Sequence, residues 1–261
     1  MIKMEKERIL DASCVSYIGA GRAYNEDNFY FNKKRLIKDN KGMTAAVSQH
    51  MVLNNPIGYA VFDGIGGASY GEEASYAASG IFAKNMNKLE NLIVSEKDFL
   101  NDICKQANEE INHTARKMQV SQIGTTMVSL LFSGQEVFVC NVGDSKAFLI
   151  RNNKIIQISK DHTDESFLNS IGINKKPSLL QYLGISNEDG SLDPFISKGK
   201  VNQGDAFILC SDGVTDVVDA TELFKTVKDS VDAESSVQNI MNKVKQKSGQ
   251  DNATVIVVKV S

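Results

Sequence analysis

The sequence predicts an α+β fold, a four-layer α-β-β-α sandwich in which two antiparallel sheets pack together and helices cover the outside. Three observations predict it. Strand-like runs cluster between residues 125 and 159, divided by short turns such as Ser133-Gly134 and Asn152-Asn153, which is the spacing of antiparallel hairpins. Helical patterns come in pairs, at about 71–92 with a partner starting near Ser95, and at about 220–230 with 234–246. The regular strand-helix alternation of a doubly wound parallel sheet is missing.

The elements follow in order. Runs 14–18 and 28–31 open the chain as strands. Residues 33–56 are polar and irregular, and predict a long loop or hairpin insertion. Gly58-Tyr59-Ala60-Val61-Phe62 is a short buried strand that ends at Asp63. Stretch 71–92 is an alanine-rich helix. The Ser95 hydroxyl can cap the next helix, with Asp98 three residues on. Phe99, Leu100, Ile103, Ala107 and Ile111 recur near the 3.6-residue helical period and make its apolar face. Strands are then expected at 125–132, 136–141, 147–151, 154–159, 205–210 and 253–260.

Composition excludes several classes. With 261 residues, 42% of them hydrophobic, the chain can bury one sizeable core. No low-complexity linker interrupts it, so 1–261 is expected to be a single domain. A net charge of −3 and a pI near 5.7 provide no basic field for nucleic acid. No apolar run reaches the roughly 18 residues of a membrane span, and the N-terminus has no apolar signal region. Cys14, Cys104, Cys140 and Cys210 are widely spaced, without a Cys-x-x-Cys pair. Reduced, buried thiols and a cytoplasmic location are the expectation.

The chemistry is carried by acids at the mouths of apolar runs. Asp63 closes one strand and opens Asp63-Gly64-Ile65-Gly66-Gly67. Asp212 follows Cys210-Ser211 and precedes Gly213. Asp251 lies two residues before the final strand, and Glu26-Asp27 directly precede residues 28–31. A lone buried carboxylate is costly, so such groups are paired, hydrogen-bonded or metal-bound. Oxygen-only ligands favour Mg²⁺ or Mn²⁺ over Zn²⁺. One Asp-Gly is usually a plain turn; the joint order of these acids carries the inference. Other hydrolytic chemistries lack their residues. None of the four cysteines has an arginine six positions on. His50, His113 and His162 are dispersed, without His-Glu-x-x-His, and no Gly-x-x-x-x-Gly-Lys-Ser/Thr occurs.

The run Gly21-Arg22-Ala23-Tyr24-Asn25-Glu26-Asp27 resembles the opening motif of the type 2C Ser/Thr phosphatases, the metal-dependent protein phosphatase family. Val61-Phe62-Asp63-Gly64-Ile65-Gly66-Gly67 and Gly71-Glu72-Glu73-Ala74-Ser75 are similar to its second motif. Ile123-Gly124-Thr125-Thr126, Asn141-Val142-Gly143-Asp144-Ser145, Lys160-Asp161-His162-Thr163 and Gln181-Tyr182-Leu183-Gly184 follow in the family's order. Gly204-Asp205, Cys210-Ser211-Asp212-Gly213-Val214-Thr215-Asp216 and Gly249-Gln250-Asp251-Asn252-Ala253-Thr254-Val255 complete the set. The resemblance spans nearly the whole chain and is strongest to compact bacterial members.

The resemblance implies a protein serine/threonine phosphatase that hydrolyses phosphoserine and phosphothreonine with water activated by two Mn²⁺ or Mg²⁺ ions. Asp63 would bridge the ions and the Gly64 carbonyl would bind one of them. Asp212 and Asp251 would hold the other, Glu26 would act largely through bound water, Asp27 would orient water, and Arg22 would bind phosphate oxygens. Where many bacterial members carry an aspartate that helps hold a third ion, this chain has Ser121, so a third site would rest on Asp212 alone. Residue 65 is Ile where some members have histidine. The flap segment, 164–177, is shorter than usual, which implies a different substrate selection. The expected partners are phosphorylated proteins, substrates of a Ser/Thr kinase, met by a monomer with no nucleic acid and no membrane. The rival is a non-catalytic relative that binds phosphoproteins as a regulator. Loss of acidic ligands would mark it, and Asp63, Asp212 and Asp251 are all present.

Overall fold

The computed structural model describes residues 7–65, 70–89, 94–186, 188 and 190–261. One sheet has six strands: β1 (Ile9–Tyr17), β3 (Val47–Val52), β9 (Lys146–Arg151), β10 (Lys154–Gln157), β12 (Ala206–Cys210) and β13 (Ala253–Val260), in the order β10-β9-β12-β13-β1-β3. The other has five: β2 (Asn28–Phe31), β4 (Ile57–Phe62), β7 (Met127–Ser133), β8 (Glu136–Val142) and β11 (Phe195–Lys200), in the order β11-β8-β7-β4-β2. The ladders in both are antiparallel. A short ladder, β5 (Gly64–Ile65) with β6 (Gly124–Thr125), stands beside them.

Alternation along each strand explains the layers, because successive side chains leave opposite faces. In β13, Ile256, Val258 and Val260 enter the core between the sheets, while Ala253, Val255 and Val257 face the other way. In β7, Val128, Leu130 and Phe132 point between the sheets, and Met127 and Leu131 point outward. Phe132 meets Phe207 of β12 edge-to-face at 5.3 Å, joining the sheets. Two further cores cover the outer faces. Helices α1 (Gly71–Met86) and α2 (Glu96–Met118) lie over the five-stranded sheet. Helices α5 (Ala220–Asp229) and α6 (Ala233–Gln246) lie over the six-stranded one. Strands buried on both faces cannot alternate polar with apolar, which is why these runs are continuously hydrophobic. The four-layer α-β-β-α sandwich is therefore the fold.

The elements match in kind, with differences at the edges. Ser95 caps α2 by accepting the Asp98 N–H at 3.2 Å. Helix α1 ends at Met86, and the expected end near residue 92 lies outside the described residues. Run 125–132 is broken at Thr126, so that β6 pairs with β5 while β7 stays in the large sheet. The stretch 33–56, expected as a loop or hairpin, contains β3, an edge strand along β1. Its Val-Ser-Gln-His-Met-Val sequence is half-exposed, so it carries little hydrophobic signal. Strand β11, a polar edge against β8, escaped for the same reason. Two short helices, α3 (Glu165–Ser170) and α4 (Asp212–Thr215), complete the set.

Candidate active site

The antiparallel topology brings the carboxylates together. β13 runs antiparallel to β1 and β12, so the chain before β13 meets the ends of both neighbours. Asp251 thus lies beside Asp212, the first residue of α4 after β12. In the other sheet β2 is antiparallel to β4, which puts Glu26 and Asp27 next to Asp63. A cavity of about 340 Å³ opens where these ends meet. Arg22, Glu26, Asp63, Gly64, Asp212 and Asp251 all line it, together with Ile65, Thr126, Asp144 and Lys176.

The backbone is locked around this cavity. The Asp63 carbonyl accepts from the Thr126 N–H and the Thr125 hydroxyl, both at 2.8 Å, and the Asp63 N–H donates to Thr126 Oγ1 at 3.1 Å. The break between β6 and β7 thus serves to grip Asp63. The Gly64 N–H donates to the Glu26 carbonyl at 3.2 Å. A Cβ on Gly64 would lie 2.4 Å from the Gly71 carbonyl oxygen and 2.6 Å from that of Glu26. Only glycine permits that approach of three backbone segments. The Glu26 N–H donates to Asn252 Oδ1 at 2.8 Å, and the Asn252 amide donates to the carbonyls of Ile18 and Tyr24. One side chain therefore ties the Arg22 loop to the start of β13.

Asp27 is the expected site residue that does not line the cavity. It is buried behind it, accepting from the Ser211 hydroxyl at 2.8 Å. Ser211 Oγ in turn accepts the Thr254 N–H at 2.9 Å, which fixes the hydroxyl as a donor toward Asp27. The other carboxylate oxygen, Oδ1, is buried without a hydrogen-bond partner among the described residues.

The electrostatics are those of crowded carboxylates. Burial pushes Asp27 up to about 7, with Asp212 and Asp251 adding to the effect and the Ser211 hydrogen bond opposing it. Asp63 is raised well above the carboxylate range by withdrawal from water and then by Asp212, Asp27 and Asp144. Asp144 is raised to about 6 by burial and by Asp212, against the pull of Lys146. Glu26 is raised by burial and Glu72, against Arg22. Two cations answer this charge from the cavity walls. Arg22 Nη2 lies 2.7 Å from Asp251 Oδ1, and Lys176 Nζ lies 3.1 Å from both Asp212 Oδ2 and Asp216 Oδ2.

These donors fit a hard divalent cation: the carboxylates that line the cavity offer oxygen only, and they raise one another's proton affinity. As the side chains stand, no group of three or more acids, histidines or cysteines among the described residues is placed to hold a metal ion. Arg22 and Lys176 hold Asp251 and Asp212 instead.

Sequence reasoning left three neighbours without a role. Asp144, in the quoted run 141–145, faces Asp212. Lys176 comes from the segment 164–177, and Asp216 from the end of α4. Asp144 and Asp216 belong to motifs already quoted, whereas a lysine in an exposed polar segment carries no local signal. His162 does not line the cavity, and its Nδ1 accepts the Gly143 N–H at 3.1 Å. Ser121 is exposed and does not line the cavity.

The sequence model of the family Protein phosphatase 2C matches residues 46–251. The chain belongs to the protein phosphatase 2C family. Asp63, Gly64, Asp212 and Asp251 fall inside the matched residues, and Arg22, Glu26 and Asp27 precede them. Among its family relatives, the serine/threonine phosphatase stp of Listeria monocytogenes is 28% identical over 217 residues, covering 78% of this chain and 84% of that one. The solved serine/threonine phosphatase PstP/Ppp of Mycobacterium tuberculosis superimposes with a TM-score of 0.77 at 22% identity, over 96% of this chain and 98% of that one. The catalytic domain of PstP in complex with two manganese ions gives a TM-score of 0.76 at 24% identity, over 97% of this chain and 99% of that one. Those two structures share the fold of this 2C family member.

Proposed function

We infer that this 2C family protein is a metal-dependent serine/threonine phosphatase, a hydrolase of phosphoserine and phosphothreonine. The single observation that carries the assignment of roles is the convergence of Glu26, Asp63, Asp212 and Asp251 with Arg22 on one cavity. Two divalent cations, Mn²⁺ or Mg²⁺, are proposed as the bound cofactor; when bound they lower the pKa of water and neutralise phosphate charge. The side chains of Asp63, Asp212, Asp251 and Glu26, with the Gly64 carbonyl, would hold them. Ser121 is exposed and off the cavity, which supports two ions rather than three.

The remaining chemistry belongs to the protein. Arg22 presents a planar fork at the cavity mouth and binds the equatorial phosphate oxygens. Asp27, buried behind the cavity and held by Ser211, would orient the attacking water rather than hold a cation. The serine or threonine oxygen leaves in line with the incoming water, and no protein nucleophile is needed. The substrates are proposed to be proteins phosphorylated by a Ser/Thr kinase, in a signalling role. The protein is proposed to act in the cytoplasm as a monomeric, single catalytic domain. No helix among the described residues is long and apolar enough to cross a membrane.

Hydrolysis of p-nitrophenyl phosphate and of a phosphothreonine peptide, measured with Mn²⁺ and again after chelation, tests this reading. Turnover with Mn²⁺ that chelation abolishes is expected. Inactivity at every metal concentration would overturn it and favour a phosphoprotein-binding regulator.

A further inference from the structure

We propose that Asn40 is a positioning residue: through it the connection between β2 and β3 acts as a strap that holds the Arg22 loop in place to bind phosphate. The inference deepens the phosphatase reading and rests on it. Residues 20–24 are exposed, so packing alone does not fix the path of the chain around Arg22. From the inner side, Asn252 binds the carbonyls of Ile18 and Tyr24, and the Ala20 N–H donates to the Gly249 carbonyl at 3.0 Å. From the outer side, Asn40 closes the loop. Its carbonyl accepts the Asn25 N–H at 3.4 Å, and its Oδ1 accepts from the Asn25 side-chain amide at 3.0 Å. Asn25 is buried, and the same amide donates to Ser16 Oγ at 2.9 Å. The strap therefore grips a fixed point three residues after Arg22. The Lys41 ammonium donates to the Ala23 carbonyl and stands 5.0 Å from the centre of the Tyr24 ring.

The strap is itself fixed on both sides of Asn40. Asn40 Oδ1 also accepts the Gly42 N–H at 2.9 Å, an Asx turn, and the Asn40 amide donates to the Ile37 carbonyl at 2.9 Å. Gly42 has a φ of +77°, and a Cβ there would lie 2.9 Å from the Ser16 carbonyl oxygen. The turn thus lies against the end of β1, where the Met43 N–H donates to that same carbonyl at 2.7 Å. Upstream, two side chains reach α1. Arg35 donates to the Tyr76 carbonyl at 2.9 Å and covers the Tyr76 ring at 4.1 Å, and Lys38 meets Glu73 Oε1 at 2.8 Å. The chain between β2 and β3 therefore runs from α1 to β1 and crosses the Arg22 loop on the way. A guanidinium fork binds two phosphate oxygens only if its own backbone is placed to within a fraction of an ångström. Asn40 supplies that placement without touching the phosphate or a proposed cation ligand side chain.

The test measures competitive inhibition by inorganic phosphate during p-nitrophenyl phosphate hydrolysis in Mn²⁺. Wild type, Asn40→Ala and Asn40→Asp are compared, and Arg22→Ala is measured with and without Asn40→Ala. The inhibition constant is expected to rise about fivefold in Asn40→Ala, the scale of one ordinary hydrogen bond, while kcat stays within about twofold. Asn40→Asp keeps an acceptor opposite the Asn25 amide and should recover most of that loss. In the Arg22→Ala background, Asn40→Ala should add less than about twofold, because the side chain through which it acts is gone. Hydrogen exchange of the 20–25 amides should quicken in Asn40→Ala and return in Asn40→Asp. An equal effect of Asn40→Ala in both backgrounds, or unchanged exchange in the loop, would mean that Asn40 serves stability alone and would overturn the proposal. If the wild type does not hydrolyse the ester at any metal concentration, the phosphatase reading fails, and the exchange measurement still decides whether Asn40 holds the loop.

Discussion

Asp63 is held from three sides: its carbonyl by Thr125 and Thr126, its N–H by Thr126 Oγ1, and the next residue by the Glu26 carbonyl. Its carboxylate carries the repulsion of Asp212, Asp27 and Asp144. Those two facts have opposite consequences in a variant. Asp63→Asn keeps the backbone contacts and removes a charge from a crowded site. The metal-free protein should melt no lower than wild type, while kcat should fall by on the order of a thousandfold or more. Steady-state rates beside a thermal melt decide it, and near wild-type turnover would count heavily against the assignment. Arg22 is half-exposed and pairs with Asp251, so Arg22→Ala should leave stability within about 0.5 kcal/mol. It should weaken competitive inhibition by inorganic phosphate, measurable as a raised inhibition constant. The acids at strand ends were legible because an apolar run stopping at Asp63 or Asp212 is visible in one dimension. Lys176 and Asp216 were not, since their meaning lies in a contact across 40 residues, between a flap and a short helix.

At the scale of elements, the doubly buried strands and the amphipathic helices announced themselves through composition and period. What stayed hidden were edge strands. β3 and β11 expose much of their length and owe their conformation to a neighbour's unpaired backbone, a tertiary cause that no local pattern carries. Two elements allow clean tests. Helix α5 starts with a capping box in which Asp219 accepts the Glu222 N–H at 2.9 Å and the Glu222 side chain reaches back to the Asp219 N–H. Asp219→Ala should cost about 1 kcal/mol in a denaturant titration, with unchanged kcat, because α5 lies over the sheet and does not line the cavity. Gly64→Ala should behave otherwise. Its methyl group would meet two backbone carbonyl oxygens at 2.4 and 2.6 Å, which no side-chain rotation relieves. The β5-β6 ladder must shift, at a cost of about 1–3 kcal/mol. Activity should fall with stability, since Glu26 moves with the carbonyl that is displaced.

For the whole molecule, the crowded site predicts an unusual dependence on pH. A carboxylate usually gains stability from ionisation on folding; here the sign is reversed. Asp27 at about 7 and Asp144 at about 6 lie above their ordinary 3.8, and Asp63 is raised in the same direction. The folded state therefore binds more protons than the unfolded one across that interval. Stability from these groups is full below the unfolded value near 3.8 and is lost as pH rises through 6 and 7. His162, lowered by burial and Lys160, acts in the opposite sense, losing stability as pH falls through its ordinary 6.5. It is one group against four, since Glu26 is raised as well. A divalent cation binds the ionised carboxylates and so competes with those protons. The rise in melting temperature caused by Mn²⁺ should accordingly be larger at about pH 8 than at about pH 5.5, and chelated protein should melt lower at the higher pH. Asp63→Asn should flatten both differences, because it takes out the carboxylate at the centre of the repulsion. A Mn²⁺ shift that is equal at the two pH values would mean that the carboxylates at the strand ends do not share one cation-binding centre, and the proposed division of roles among Glu26, Asp63, Asp212 and Asp251 would fall with it.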